Sequence, residues 1–117
     1  GYPLPTLLEL CHRFPSIRAI KDWCNDPVLH ERHIRELHAL DSPVAVLSTH
    51  SAWLLSSLVL GCDGLLSGAG NVIAPLQVNM WQAIQDKNLL LAQDISDRLY
   101  HLTRAFYCYP LLDNVFV

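Results

Sequence analysis

The chain contains only two lysines, Lys21 and Lys87. Lys21 ends the alternating run Ile17-Arg18-Ala19-Ile20-Lys21-Asp22, whereas Lys87 lies in a polar turn. A lysine set among apolar neighbours has its charged form disfavoured, which makes a neutral amine available near neutral pH. Such an amine can condense with a ketone to give a Schiff base. The competing reading is a lysine that pairs with Asp22 or another carboxylate and simply caps the strand, since ion pairs also bury lysines.

Other residue types with chemical potential are less well spaced. Gly68-Ala69-Gly70 precedes a helical pattern, but Ile73 stands where a dinucleotide fingerprint needs a small residue. The loop reads either as backbone N–H groups facing a carboxylate or phosphate, or as a turn with no ligand. His30, His33 and His38 lie along one helical stretch without the H-E-x-x-H spacing. No carboxylate or cysteine near them in sequence completes a ligand set, so the expectation is a solvated helix face and no metal. His50 follows an apolar strand and could meet a substrate, or be an ordinary loop histidine. No serine sits in a G-x-S-x-G elbow, so a Ser-His-Asp triad is not expected. Cys11, Cys24, Cys62 and Cys108 form no C-x-x-C pair, which fits a reduced, cytoplasmic setting.

The elements that must position these groups alternate. A helix from Pro5 to Phe14 is stopped by Pro15, and the strand Ile17–Asp22 follows. Asp26-Pro27 opens a second helix whose buried side is expected to be Val28, Ile34, Leu37 and Leu40. Val44 to Ser48 reads as a strand buried on both faces. Ser51 is placed to cap a helix over Ala52–Leu60, with Gly61 to end it in the left-handed conformation. Gly64 to Ser67 forms a third strand, Pro75 opens a helix to about Asp86, and Leu91, Ile95, Leu99, Leu102 and Phe106 mark a last helix closed by Pro110.

Short strands and helices in strict alternation predict parallel βα units. A doubly wound sheet and a (β/α)₈ barrel both satisfy that pattern, and both put their chemistry in loops after the strands' C-terminal ends. The barrel needs about 250 residues. The chain has 117, begins Gly1-Tyr2-Pro3 without Met and stops on an apolar run, so both ends read as cuts. It is 51% hydrophobic and 16% charged, rich for a free-standing domain. A net charge of −3 without a basic cluster argues against nucleic acid. The most apolar window, Ala52 to Leu60, is too short to span a bilayer, and no signal peptide is evident.

Three segments carry a resemblance. Pro15-Ser16-Ile17-Arg18-Ala19-Ile20-Lys21-Asp22 resembles the Schiff-base strand of the dihydrodipicolinate synthase and N-acetylneuraminate lyase family. Val46-Leu47-Ser48 resembles the entry to its strand-seven loop. The stretch from Gly61-Cys62-Asp63-Gly64 through Ser67-Gly68-Ala69-Gly70-Asn71-Val72 to Pro75 resembles its strand-eight segment, in the same order along essentially the whole chain.

The resemblance implies an α/β fold, a partial (β/α)₈ barrel in which residues 1–117 supply strands six to eight with their helices. It also implies a lyase, an aldolase or dehydratase that uses no cofactor. Its Lys21 would form an imine with pyruvate or a related 2-keto acid, with Leu66 lending a backbone carbonyl near the imine and Ser67, Gly68 and Asn71 shaping the mouth. Where the family has a glycine and acidic residues after strand seven, this chain has Thr49, His50 and Ser51. Thr49 and His50 are assigned to the substrate's distal part, and the departure favours a sugar-acid or aromatic keto-acid relative over the lysine-biosynthesis enzyme. The family's Gly-Thr-Thr-Gly-Glu loop and relay tyrosine belong upstream, so the chain by itself is expected to be inactive, and homo-oligomeric when full length. The rival is a non-catalytic barrel relative that binds a small anion or regulates a partner.

Overall fold

The computed structural model describes residues 1–106. The elements run α1 (Leu4–Arg13), β1 (Ala19–Asp22), α2 (Pro27–His38), β2 (Ala45–Ser48), a 3₁₀ turn at Ser51–Trp53, α3 (Leu54–Val59), β3 (Gly64–Leu65), α4 (Gly70–Gln85) and α5 (Leu89–Phe106). The strands form one parallel sheet in the order β1-β2-β3. This is the alternating α/β arrangement the pattern predicts. Cys108 and Pro110, the expected end of the last helix, lie outside the described residues.

Register decides which side chains share a face. Ile20 pairs with Val46, Asp22 with Ser48, and Ser48 with Leu65, so these residues project toward the side that α2 and α3 cover. Ala19, Lys21, Ala45, Leu47 and Gly64 form the opposite face. Strand β2 is therefore not buried on both faces, as its apolar run suggested: Val46 and Ser48 are buried, while Ala45 and Leu47 are half-buried. The described helices lie on one side of it only.

Local chemistry explains most element ends. Asp26 accepts hydrogen bonds from the N–H groups of Val28 and Leu29 at 2.9 and 3.2 Å, and Pro27 occupies the first helical position of α2. Gly61 follows α3 with φ of 102°, a conformation open to glycine but strained for any other residue.

The departures also have physical causes. Ser51 does not cap a helix, because its hydroxyl is engaged across the sheet end by Ser67 and Gln77, and a 3₁₀ turn replaces the expected first turn. The expected helix opening at Pro75 holds, but a further turn from Gly70 precedes it within α4, separated by a break at Ile73 (φ −120°, ψ 20°). Pro75 lacks an N–H and its ring crowds the carbonyl four residues back, which forces that break.

In α2 the buried stripe is His30, His33, Ile34 and Leu37; Val28, expected there, is 72% exposed because the helical turn carries it to the opposite side. In α5 the packed stripe is Ala92, Ile95, Leu99 and Thr103 rather than one running through Leu91 and Leu102. Ala92 is fully buried, and this stripe faces the elements α5 packs on, α4 foremost.

Candidate functional site

Lys21 is the third residue of β1, in one row with Leu47 of β2 and Gly64 of β3. A Cβ added to Gly64 would lie 3.2 Å from the Leu47 Cδ2, so a larger residue there would push into the row beside the lysine. Lys21 is exposed, on the face that the described helices leave uncovered. The apolar surroundings expected for it are not formed among the described residues. Its expected alternative partner, Asp22, points to the other side of the strand, where histidines hold it.

Those histidines correct the reading of a solvated helix face. His30 is fully buried and His33 is 7% exposed. Their Nδ1 atoms lie 2.7 and 2.9 Å from the Asp22 Oδ2, and the Cys24 N–H donates to Oδ1 at 2.9 Å. Burial alone would raise the Asp22 carboxyl, but the hydrogen bonds from His30, His50, His33 and the Cys24 N–H hold it well below the usual carboxylate range. Burial works to lower the His30 imidazole, and the Asp22 carboxylate with a contact to Cys62 overrides it, raising the group to about 9. His38 is not merely solvated either: its Nε2 is 2.7 Å from the Asp63 Oδ2, which also accepts from the Val46 N–H and so braces β2.

The chain of contacts continues inward. His30 Nε2 is 2.8 Å from the Ser57 Oγ, and Ser57 donates to the Ser48 Oγ at 2.5 Å. Asp22, His30 and Ser57 thus stand in the order of a hydrolytic triad, although no sequence motif announced one. They do not work as one. The Asp22 carboxylate favours the charged form of His30, a poor acceptor for the Ser57 proton; the Ser57 hydroxyl faces Ser48 and Cys62 as acceptors, and all three side chains are buried.

His50 is buried with its ring stacked on Trp53, centroids 4.1 Å apart, and edge-on to His30 at 4.9 Å. Its Nε2 lies 3.9 Å from the Asp22 Oδ1 and 4.0 Å from the Cys24 Sγ. Burial, together with the Asp22 and Asp26 carboxylates, pushes the Cys24 thiol up to about 11, so it is no thiolate nucleophile near neutral pH. Thr49 is also buried, at 2% exposure.

At the end of β3 the Leu66 N–H donates to the Ser48 carbonyl at 2.9 Å, and the Leu66 side chain is half exposed. Ser67 touches Ser51, accepts from the Ala69 N–H at 3.2 Å, and with Ser51 receives the Gln77 amide. Gly68 and Asn71 are exposed, the Asn71 amide closing the turn onto the Gly68 carbonyl at 3.2 Å. Two clusters therefore adjoin the sheet's C-terminal edge: Ser51, Ser67 and Gln77 after β3, and Asp22 with its histidines behind β1. Sequence reading missed Gln77 and Ser57, and it gave Asp22 to Lys21 rather than to the histidines. Only the placement of His30 and His33 on the same stripe as Ile34 and Leu37 could have pointed to a buried acceptor.

No family model matches the chain. It is 32% identical over 103 residues to the 4-hydroxy-tetrahydrodipicolinate synthase of Methanoculleus marisnigri, covering 88% of this chain and 35% of that protein. Its fold superposes on the dihydrodipicolinate synthase of Aquifex aeolicus with a TM-score of 0.78 at 21% identity, over 89% of this chain and 34% of the other. A dihydrodipicolinate synthase variant described as monomeric gives a TM-score of 0.81 at 19% identity, over 89% and 35%. The resemblance to this lyase family is borne out in sequence and in fold, and the chain spans about one third of the length of the relatives it matches. These relatives are synthases, and the expected leaning toward a sugar-acid or aromatic keto-acid enzyme finds no support in them. Among the described residues no helix is long and apolar enough to cross a membrane.

Proposed function

We propose that this chain supplies strands six to eight of a (β/α)₈ lyase barrel and that Lys21 is its Schiff-base amine. The single observation carrying the reading is the position of Lys21 at the C-terminal end of β1, on the sheet face free of helices, in one row with Leu47 and Gly64. In a closed barrel that face lines the interior and its C-terminal rim holds the chemistry. The rest of the barrel would surround the amine with the apolar walls that favour its neutral form.

The neutral Nζ attacks the keto carbon of pyruvate or a related 2-keto acid. The carbinolamine loses water, and the protonated imine draws electrons from the adjacent C–C or C–H bond. On this reading the Leu66 carbonyl lies beside the imine, Ser67, Gly68 and Asn71 shape the mouth, and Thr49 and His50 stand behind the distal end of the substrate. The proton relay and the carboxylate-binding loop come from outside these 117 residues.

Borohydride reduction of the complete protein in the presence of pyruvate, read by peptide mass spectrometry, tests this. A reduced adduct on the Lys21 peptide, absent from Lys87 and from Lys21→Ala, is the expected result. Failure to trap pyruvate or any other 2-keto acid would overturn the lyase reading in favour of a non-catalytic relative that binds a small anion.

A further inference from the structure

On the helix side of the sheet, directly behind Lys21, a second group of side chains has donor chemistry that Schiff-base formation does not use. Asp22 and Cys24 come from the end of β1, His30 from α2 and His50 from the loop after β2. One possible ligand atom from each lies within 4.8 Å of all the others; Asp22, His30 and His50 are buried and Cys24 half-buried. A carboxylate, a thiol and imidazoles together suit a borderline-soft divalent cation, whereas magnesium and calcium favour all-oxygen sets.

Distances refine the assignment. His50 Nε2 is 3.9 Å from the Asp22 Oδ1 and 4.0 Å from the Cys24 Sγ, both longer than a strong hydrogen bond. Metal–ligand bonds of about 2.0–2.3 Å give tetrahedral ligand–ligand edges of roughly 3.3–3.6 Å, so a contraction of about half an ångström brings His50 to both other ligands, while Asp22 and Cys24 lie within 4.8 Å of each other. The His50 ring is already fixed by its stack on Trp53. The second oxygen of Asp22 is held by His30 and His33 at 2.7 and 2.9 Å, which sets the direction of Oδ1 as outer-shell partners do. His30 has its other nitrogen on Ser57 at 2.8 Å, so it serves better as a support of Asp22 than as a ligand.

We propose that Asp22 Oδ1, Cys24 Sγ and His50 Nε2 bind one zinc-type divalent cation, with water in the fourth position. Binding releases the Cys24 thiol proton to solvent, and the carboxylate and thiolate match the two positive charges. The cation would tie the end of the strand that carries Lys21 to the loop after β2. Binding here does not require the Schiff base at Lys21, although it gives His50 a ligand role in place of one at the distal end of the substrate.

The test is a titration of the complete protein, stripped with a chelator, with cobalt(II). One equivalent is expected to bind with a sulfur-to-cobalt charge-transfer band. Cys24→Ser should lose that band, His50→Gln should weaken binding at least about tenfold, and Lys21→Ala should leave both unchanged. Circular dichroism checks that each variant folds. A measurement needing no variant runs beside it: stoichiometric zinc(II) should protect Cys24, identified by peptide mass spectrometry, from alkylation. Absence of one-equivalent binding, a spectrum that persists in Cys24→Ser, or unprotected Cys24 overturns the site.

Discussion

Asp22 Oδ2 and His30 Nδ1 meet at 2.7 Å with their side chains 2% and 0% exposed, an ion pair placed directly behind the proposed reactive lysine. Removing one partner from such a pair leaves the other charged and unpaired in a low-dielectric setting. Asp22→Asn in the complete protein should lower unfolding stability by about 3–5 kcal/mol, measured by urea denaturation. A loss below about 1 kcal/mol would place the pair in the range of exposed surface bridges.

The same pair gives stability a definite pH profile in the presence of a chelator. The His30 pKa is raised from 6.5 to about 9, so its contribution is complete below 6.5 and is lost as pH rises through about 9. The Asp22 pKa is lowered from 3.8, so its contribution is complete above that value and is lost as pH falls below it. Melting temperature should therefore be flat between about pH 4 and 6.5 and decline toward 9. A stability that climbs between 6.5 and 9 would contradict the charged state assigned to His30.

Among the described residues Lys21 makes no ion pair with a buried acid, so its removal should separate chemistry from folding. Lys21→Ala should abolish borohydride trapping yet change unfolding free energy by less than about 1 kcal/mol, the ordinary size of a point substitution. A large stability loss would mean that the rest of the barrel uses the lysine as a structural cation.

Gly61, at φ of 102°, has nothing within 4 Å of the position a Cβ would take. Gly61→Ala thus meets backbone strain without a clash, and should cost about 1–2 kcal/mol, read by thermal or urea unfolding. A neutral result would show that the end of α3 relaxes out of the left-handed region.

Much of this was legible along the chain. Asp26-Pro27 announced a capped helix start, Gly61 a left-handed end, and the run ending in Lys21 a strand, because each is a local device whose partners lie within a few residues. The histidines of α2 misled because Glu31, Arg32 and Arg35 between and beside them suggest a wet surface. Glu31 and Arg35 do pair at 2.6 Å on the exposed side. His30 and His33 nevertheless share the stripe of Ile34 and Leu37, and their partner Asp22 comes from the preceding strand.

The sequence by itself determined the alternation of strands and helices, the ends of most elements, the likeness to a lyase family and the candidate amine, all of which rest on local pattern or on order along the chain. Tertiary structure decided which face of β1 each residue takes. In a parallel strand, one residue's shift exchanges the two faces, so only pairing with β2 puts Lys21 on the open side and Asp22 among the histidines. It also decided that Asp22, Cys24 and His50 converge, since packing of α2 and of the loop after β2 against the same strand end brings together donors separated by up to 28 residues in sequence.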